Sequence, residues 1–173
     1  QAGAPPDDFS VNGQNWGFPT YNWDTMEKDN FSWWRKRFGK LEDYFDCFRI
    51  DHILGFFRIW EVPLDYVQGL CGHFNPALPL TPNEIEQYGL GFDEARLTTP
   101  HINREFLPEL FGDRTEEVIG TFLAQSSSRH FVLKPYCDTQ RKVEALFAGK
   151  TDEVSLRIKK GLFAIANEVL FLR

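Results

Sequence analysis

The chain has 173 residues, of which 42% are hydrophobic and 25% charged, which is enough for one domain with a buried core. Its formal net charge of -6 disfavours a nucleic-acid partner, because the phosphates would be repelled. No apolar run is long enough to span a bilayer, so we expect no membrane partner either.

Residues 1–23 contain six glycine and proline residues, too many for regular secondary structure. Within this segment two glycines bracket two amides and a tryptophan, in the order Gly13-Gln14-Asn15-Trp16-Gly17. The glycines let the backbone turn sharply and present these side chains together. Aromatic faces beside amides suit a sugar, which has apolar C–H faces and hydroxyl edges. A surface loop whose tryptophans pack into a core is the alternative; we favour binding, because long ordered loops are more often functional.

The next segment, residues 25–44, has the pattern of an amphipathic helix. Asn30 or Asp29 is placed to cap it. Its apolar residues recur at three- and four-residue steps, namely Phe31, Trp34, Phe38, Leu41 and Phe45. The run Cys47-Phe48-Arg49-Ile50 follows and predicts a short strand. A helix followed by a strand is the repeating unit of an α/β fold, although only one such unit is visible.

Asp51 directly follows the predicted strand and is itself followed by His52. Arg49 and Asp51 are two residues apart, so on a strand their side chains would project from the same side. The guanidinium would hold the carboxylate in its ionised form by charge attraction. A fixed, ionised carboxylate is what a covalent glycosidase nucleophile requires. An ordinary salt bridge at the end of a strand is the alternative on these residues alone.

The rest of the chain predicts packing more than chemistry. Residues 64–80 look irregular, and His73, His101 and His130 are solitary, so we expect no metal site. From residue 81 onward the sequence predicts several short helices in a mostly α fold with little strand. Their expected starts are Thr81-Pro82-Asn83-Glu84, Thr99-Pro100, Asp113 to Glu116, Asp138 or Thr139, and Thr151, with one extended piece at His130-Phe131-Val132-Leu133-Lys134.

Three motifs together resemble the amylomaltases, the 4-alpha-glucanotransferases or disproportionating enzymes of glycoside hydrolase family 77. They are Ala2-Gly3-Ala4-Pro5-Pro6-Asp7, Gly13-Gln14-Asn15-Trp16-Gly17-Phe18-Pro19-Thr20-Tyr21 and Phe48-Arg49-Ile50-Asp51-His52, in the order of the family. The run Ile53-Leu54-Gly55-Phe56-Phe57-Arg58-Ile59-Trp60 is similar to the plant-cytosolic-type long form, which has an inserted segment after the nucleophile.

The resemblance implies a division of the chain. Residues 1–63 would be a piece of the catalytic, interrupted (β/α)8 TIM barrel, with the sugar-binding loop and the nucleophile strand. Residues 64–173 would be a helical insertion of the same catalytic domain. The Pro-rich beginning and the uncapped apolar ending of the chain also lead us to expect a fragment of a longer protein.

The resemblance further implies a retaining transfer of α-1,4-glucan segments with no cofactor and no metal. Asp51 would be the nucleophile, Arg49 would orient it, and His52 would lie beside the bound sugar. Retaining chemistry also needs an acid/base carboxyl roughly 5 Å away, and no motif here matches it. The isolated chain should therefore be inactive. The residues expected to bind substrate are Asp7, Phe9, Gln14 and Trp16.

Two alternatives stay open on the sequence: a non-catalytic helical module for glucan docking or assembly, and a fragment of an alpha-amylase-type hydrolase, whose nucleophile strand also resembles residues 48–51. The expected partner is an α-1,4-glucan or maltodextrin. Apolar faces left open in a partial barrel would favour self-association. The three widely spaced cysteines favour free thiols in a reducing cytoplasm.

Overall fold

The structure is a computed structural model that describes residues 1–172. Its first sheet is antiparallel, with the strand order β2-β1-β3-β4. The strands are β1 (Ala2–Ala4), β2 (Gln14–Asn15), β3 (Ile59–Glu61) and β4 (His73–Asn75). Between β2 and β3 lie helices α1 (Trp23–Lys28) and α2 (Ser32–Glu42) and the 3-10 turn Ile53–Phe56.

The second sheet is also antiparallel, with the order β5-β7-β6. Its strands are β5 (Ile102–Asn103), β6 (Leu123–Gln125) and β7 (His130–Leu133). The helices around it are α3 (Pro82–Gln87), α4 (Glu94–Thr98), α5 (Leu107–Phe111), α6 (Thr115–Phe122), α7 (Gln140–Leu146) and α8 (Glu153–Ala166), with 3-10 turns at Arg104–Phe106 and Gly112–Arg114.

The main hydrophobic core lies in this second part of the chain. Helices α5 to α8 pack around side chains that are fully or almost fully buried, among them Phe111, Val118, Val143 and Leu162. The close contact of α5 with α8 depends on Gly161, because a Cβ there would lie 2.3 Å from a ring carbon of Phe111. By contrast, α1 and α2 have no buried residue.

Several local predictions are confirmed. Helix α3 begins with a capping box, in which the Thr81 hydroxyl accepts from the Glu84 N–H and the Glu84 carboxylate accepts from the Thr81 N–H. The hydrogen bonds that the Thr81 N–H and hydroxyl donate to the Glu84 carboxylate lower its pKa. Thr139 caps α7, and the extended piece from His130 is strand β7. The chain has more helix than strand, as expected.

The predicted strand at residues 47–50 is wrong. These residues have no regular structure and are exposed. A strand needs a neighbour for its backbone hydrogen bonds, and within residues 1–172 no strand lies beside them. Both sheets are antiparallel, so the chain forms no barrel among its described residues.

The single helix predicted at residues 25–44 is also wrong, because Asn30 and Phe31 adopt a left-handed backbone that separates α1 from α2. The N-cap of α2 is Phe31, so neither Asn30 nor Asp29 occupies the predicted cap position. Asp29 does accept from the Ser32 N–H at 3.1 Å. Residues 1–23 were expected to lack regular structure, but they contain β1 and β2.

Three helix starts differ from their predictions. Thr99 ends α4 instead of beginning a helix, Asp113 makes no capping box for α6, and Asp152 rather than Thr151 caps α8.

The glycines of α6 and α8 allow a matched test of the core. Gly161→Ala should lower the free energy of unfolding by about 1–3 kcal/mol, because the new methyl group clashes with Phe111. Gly120→Ala, where a Cβ meets nothing within 4 Å, should raise it by up to about 1 kcal/mol through helix propensity. Urea unfolding measures both. Equal stability of the two variants would contradict the packing described.

The buried thiols predict a loss of stability at alkaline pH. Burial raises the pKa of Cys71 and of Cys137 above 9.0 and, with Cys71 nearby, raises the pKa of Tyr66 to about 12. Above about pH 9 the unfolded chain therefore loses these protons first, and stability falls as pH rises. The drop in urea midpoint between about pH 7 and about pH 10 should be smaller in Cys71→Ala. Cys47→Ala, at an exposed thiol, is the control; equal drops in both variants would contradict the prediction.

Candidate functional site

An aromatic cleft lies between the loop after β2, helix α2 and residues 48–56. Its volume of about 600 Å³ falls in the range of small-molecule sites. The loop contributes residues from Trp16 to Trp23, and α2 contributes one face. The α2 side chains that line the cleft are Trp34, Arg37, Phe38 and Leu41.

The loop is shaped by the amides between its two glycines. Strand β2 pairs with β1, and the Trp16 N–H then donates to the Ala2 carbonyl at 2.9 Å. The Asn15 side-chain oxygen accepts from the Gly17 N–H at 3.0 Å, and Gly17 takes a left-handed φ of 77°. The Trp16 indole N–H donates to the Gln14 side chain at 2.9 Å, so Gln14 orients the ring.

Trp16 meets His52 at the cleft. The two rings pack edge to face, with centroids 4.9 Å apart and an interplanar angle of 84°. His52 has a left-handed backbone (φ 49°, ψ 54°) at the start of the 3-10 turn, and its carbonyl accepts from the Gly55 N–H at 2.9 Å. This left-handed residue gives the segment its turn directly after Asp51, because a strand could not continue through it.

Arg49 and Asp51 form the predicted ion pair, although no strand presents them. The guanidinium donates to Asp51 Oδ1 at 3.3 Å. The two side chains are 88% and 90% exposed, and such exposed pairs contribute little to stability. Both residues line the cleft. The Asp51 carboxylate therefore lies at the rim of the cleft, beside a guanidinium and accessible to a ligand.

The expected site residues fall into two groups. The structure brings Asp51, Arg49, His52 and Trp16 together around the cleft, with Gln14 bonded to Trp16 just outside it.

Asp7 and Phe9 lie elsewhere. Asp7 accepts from the N–H groups of Phe9 and Ser10 in a tight turn, and the Phe9 side chain is 95% exposed. Among the described residues that line the cleft, Asp51 is the only carboxylate.

Sequence reasoning missed the aromatic wall of the cleft. The sequence predicted an apolar face on this segment without saying what it meets. Trp34 and Phe38 of that face line the cleft and contact each other, and Trp34 also contacts Tyr21 and Phe56. The density of aromatic residues between Trp16 and Phe38 was the available signal. A periodic apolar face does not reveal whether it packs against a core or faces a cleft.

The histidines outside the cleft were expected to be solitary. His101 and His130 are instead in contact, with ring centroids 4.7 Å apart, and His73 lies 3.9 Å from Glu61. Within residues 1–172, no group of three or more metal-ligating side chains is placed to hold an ion. None of the helices in that range has the length and apolar character of a membrane span.

A sequence model of the 4-alpha-glucanotransferase family, glycoside hydrolase family 77, matches residues 1–156. The 4-alpha-glucanotransferase DPE2 of Oryza sativa subsp. japonica is 42% identical over 176 residues, which is 99% of this chain and 18% of the relative. The chloroplastic/amyloplastic 4-alpha-glucanotransferase of Solanum tuberosum is 48% identical over 90 residues, which is 51% of this chain and 16% of the relative.

A bacterial relative gives a shorter match. The 4-alpha-glucanotransferase of Streptococcus pneumoniae serotype 4 is 50% identical over 62 residues, which is 36% of this chain and 12% of the relative. The chain thus spans less than a fifth of the length of these relatives.

Proposed function

The chain belongs to the 4-alpha-glucanotransferase family, and we propose that it is part of an enzyme that transfers α-1,4-glucan segments between maltodextrins, or from maltose to a glucan acceptor. Relatives from plants and bacteria are named for this activity. The chain would contribute the nucleophile and part of the sugar site to a longer protein with a (β/α)8 barrel.

The observation that supports this best is the placement of Asp51. It is an accessible carboxylate at the rim of an aromatic cleft, held by Arg49 and next to the Trp16–His52 contact. In the proposed reaction Asp51 attacks the anomeric carbon, and the glycosidic bond breaks as an acid protonates the leaving oxygen. The glycosyl–Asp51 ester is then attacked by the hydroxyl of an acceptor glucan, which loses its proton to the same acid/base.

The cleft also suits the substrate. Trp16 and Tyr21 offer aromatic faces to the C–H faces of glucose units, and His52 offers a polar group to hydroxyls. Gln14 would act from just outside the cleft, where its side chain is bonded to the Trp16 indole. We assign Asp7 and Phe9 to a loop that closes over the longer protein's site, in line with the family. In this chain they lie outside the cleft.

The acid/base is the missing part. A retaining mechanism needs a second carboxyl group roughly 5 Å from the first, and the described cleft residues include only Asp51. Isolated, the chain should bind glucan without turning it over. We assign this chemistry to residues 1–63 and regard residues 64–173 as the helical insertion.

The proposed setting is a reducing cytoplasm. All three cysteines are free thiols, and Cys47 is exposed. Some relatives are chloroplastic forms. The apolar side chains exposed at residues 44–57, such as Phe45, Leu54 and Phe57, favour self-association when the chain is isolated.

A non-catalytic role for the helical part is the second candidate. Its hydrophobic core, from Ile102 to Ile165, is built without any residue of the cleft. Such a self-contained core would suit a docking or assembly module within the same parent enzyme.

The isolated chain should release no glucose from maltotriose, because it lacks the acid/base. A longer protein of the family that includes the acid/base should release glucose and form longer maltodextrins. In that protein Asp51→Asn should abolish turnover while glucan binding persists. Product analysis by chromatography checks both. The first expectation would be contradicted if the isolated chain released glucose and Asp51→Asn abolished that release. If the longer protein produced reducing sugars without longer maltodextrins, it would be a hydrolase.

Binding of maltoheptaose should depend on Trp16. Trp16→Leu should weaken binding by about three- to tenfold, because a stacked aromatic contact is lost. Tyr88→Leu removes an aromatic ring that is 86% exposed and lies outside the cleft, so it should bind like the unmodified chain. Calorimetric titration measures the affinities. Equal weakening in both variants would show that the loss is not specific to the cleft.

A further inference from the structure

The first turn of α7 is bonded to the segment that connects β3 with β4 in the first sheet. The Gln140 side chain is 1% exposed. Its Oε1 accepts from the N–H groups of Val67 at 2.8 Å and Gln68 at 2.9 Å, and its Nε2 donates to Asn167 Oδ1 at 2.9 Å. Removing a buried acceptor that serves two donors would leave both unsatisfied, so this amide fixes residues 67–68 against the helical core.

Arg141 extends the same connection toward the surface. Its backbone N–H donates to the Asp65 carbonyl at 3.1 Å and its Nε to the Leu64 carbonyl at 3.3 Å. Its Nη2 donates to the Gln1 side-chain oxygen at 2.8 Å. The charged, planar guanidinium thus bridges the Leu64 carbonyl and the Gln1 side chain, which is next to β1.

That Gln1 oxygen is shared with the loop of the cleft. The Asn15 Nδ2 donates both to Gln1 Oε1 and to the Tyr66 carbonyl, each at 3.0 Å. The other end of the Asn15 side chain accepts from the Gly17 N–H. Asn15 therefore transmits the position of the 64–66 segment to the turn that carries Trp16.

The packing of the neighbouring backbone supports this connection. A Cβ on Gly69 would lie 2.5 Å from the Gln14 nitrogen and 2.9 Å from the Ala4 oxygen, so this backbone lies directly against β2. The Trp60 indole also donates to the Gly69 carbonyl at 2.8 Å. Segment 64–69 is therefore held between α7 on one side and the cleft loop on the other.

We propose that Arg141 is a positioning residue of the cleft: with Gln140, it holds Asn15 and so sets the orientation of Trp16 toward a bound glucan. Arg141 does not line the cleft, so it acts through Gln1 and Asn15. The identity of the ligand rests on the proposed function. The connection itself does not, because it consists of hydrogen bonds between residues of the chain.

The test compares two neighbouring cations of α7. Arg141→Met removes the bonds to Leu64 and Gln1 but keeps an aliphatic side chain. Lys142→Met removes the same charge from a side chain that bonds to Asp138 and Pro135 instead. Arg141→Met should weaken maltoheptaose binding about fivefold, the effect of about one lost hydrogen bond. Lys142→Met should leave the affinity unchanged. Arg141→Lys should weaken binding less than Arg141→Met, because a single ammonium group replaces only part of a guanidinium that bonds through two nitrogens.

Amide hydrogen exchange provides a readout that does not depend on the ligand. In Arg141→Met the Trp16 and Gly17 amides, which are bonded to the Ala2 carbonyl and the Asn15 side chain, should exchange about fivefold faster. The Val143 amide, bonded within α7, should be unchanged if the helix is intact.

The inference would be overturned if the Trp16 and Gly17 amides exchanged at the same rate in Arg141→Met as in Lys142→Met. It would also be overturned if the unmodified chain bound maltoheptaose and the two variants bound it with equal affinity. No binding by the unmodified chain would count against the proposed function, and the exchange comparison would still decide the role of Arg141.

Discussion

The buried carboxamide of Gln140 joins the two parts of this chain. One oxygen accepts two backbone hydrogen bonds from residues 67–68, and the amide nitrogen donates to Asn167, which in turn donates to the Gln68 side chain. The amide supplies both the acceptor and the donor that this position needs without introducing a charge. Because Gln140 is 1% exposed and its partners are partly buried, these hydrogen bonds are largely shielded from water and stabilise the contact.

Stability and chemistry are separated in this molecule. The helical part provides the main hydrophobic core, whereas α2 buries no residue and Asp51 is almost fully exposed. The Arg49–Asp51 pair therefore contributes little to folding. An exposed, oriented carboxylate is useful only if the aromatic loop beside it keeps a fixed position. That position depends on β1, on residues 64–69 and, through them, on α7.

The sequence was sufficient for features that local chemistry decides. The capping box at Thr81 and the glycine-bracketed loop around Trp16 follow from residue type and spacing. The family resemblance named Asp51, Arg49 and His52 as site residues, and all three line the cleft, while their catalytic roles stay a prediction.

Features decided by distant partners were not predictable in this way. Ile50 and its neighbours have β propensity, but no adjacent strand within residues 1–172 pairs with them. The left-handed backbone at His52 and the contact between His101 and His130 leave no local signal. Gln140 gives no local signal of its role, because the backbone groups that it accepts from, in Val67 and Gln68, lie 73 and 72 residues earlier in the chain.

The central claim is that Asp51 forms the covalent bond to the sugar. The most direct measurement is to treat the longer, active protein with a fluorinated glucosyl fluoride, which accumulates a glycosyl-enzyme intermediate, and to map the label by mass spectrometry of peptides. The account predicts one glycosyl group on the peptide containing Asp51, at the Asp51 carboxylate. Inactivation with the label on a different carboxylate would contradict it.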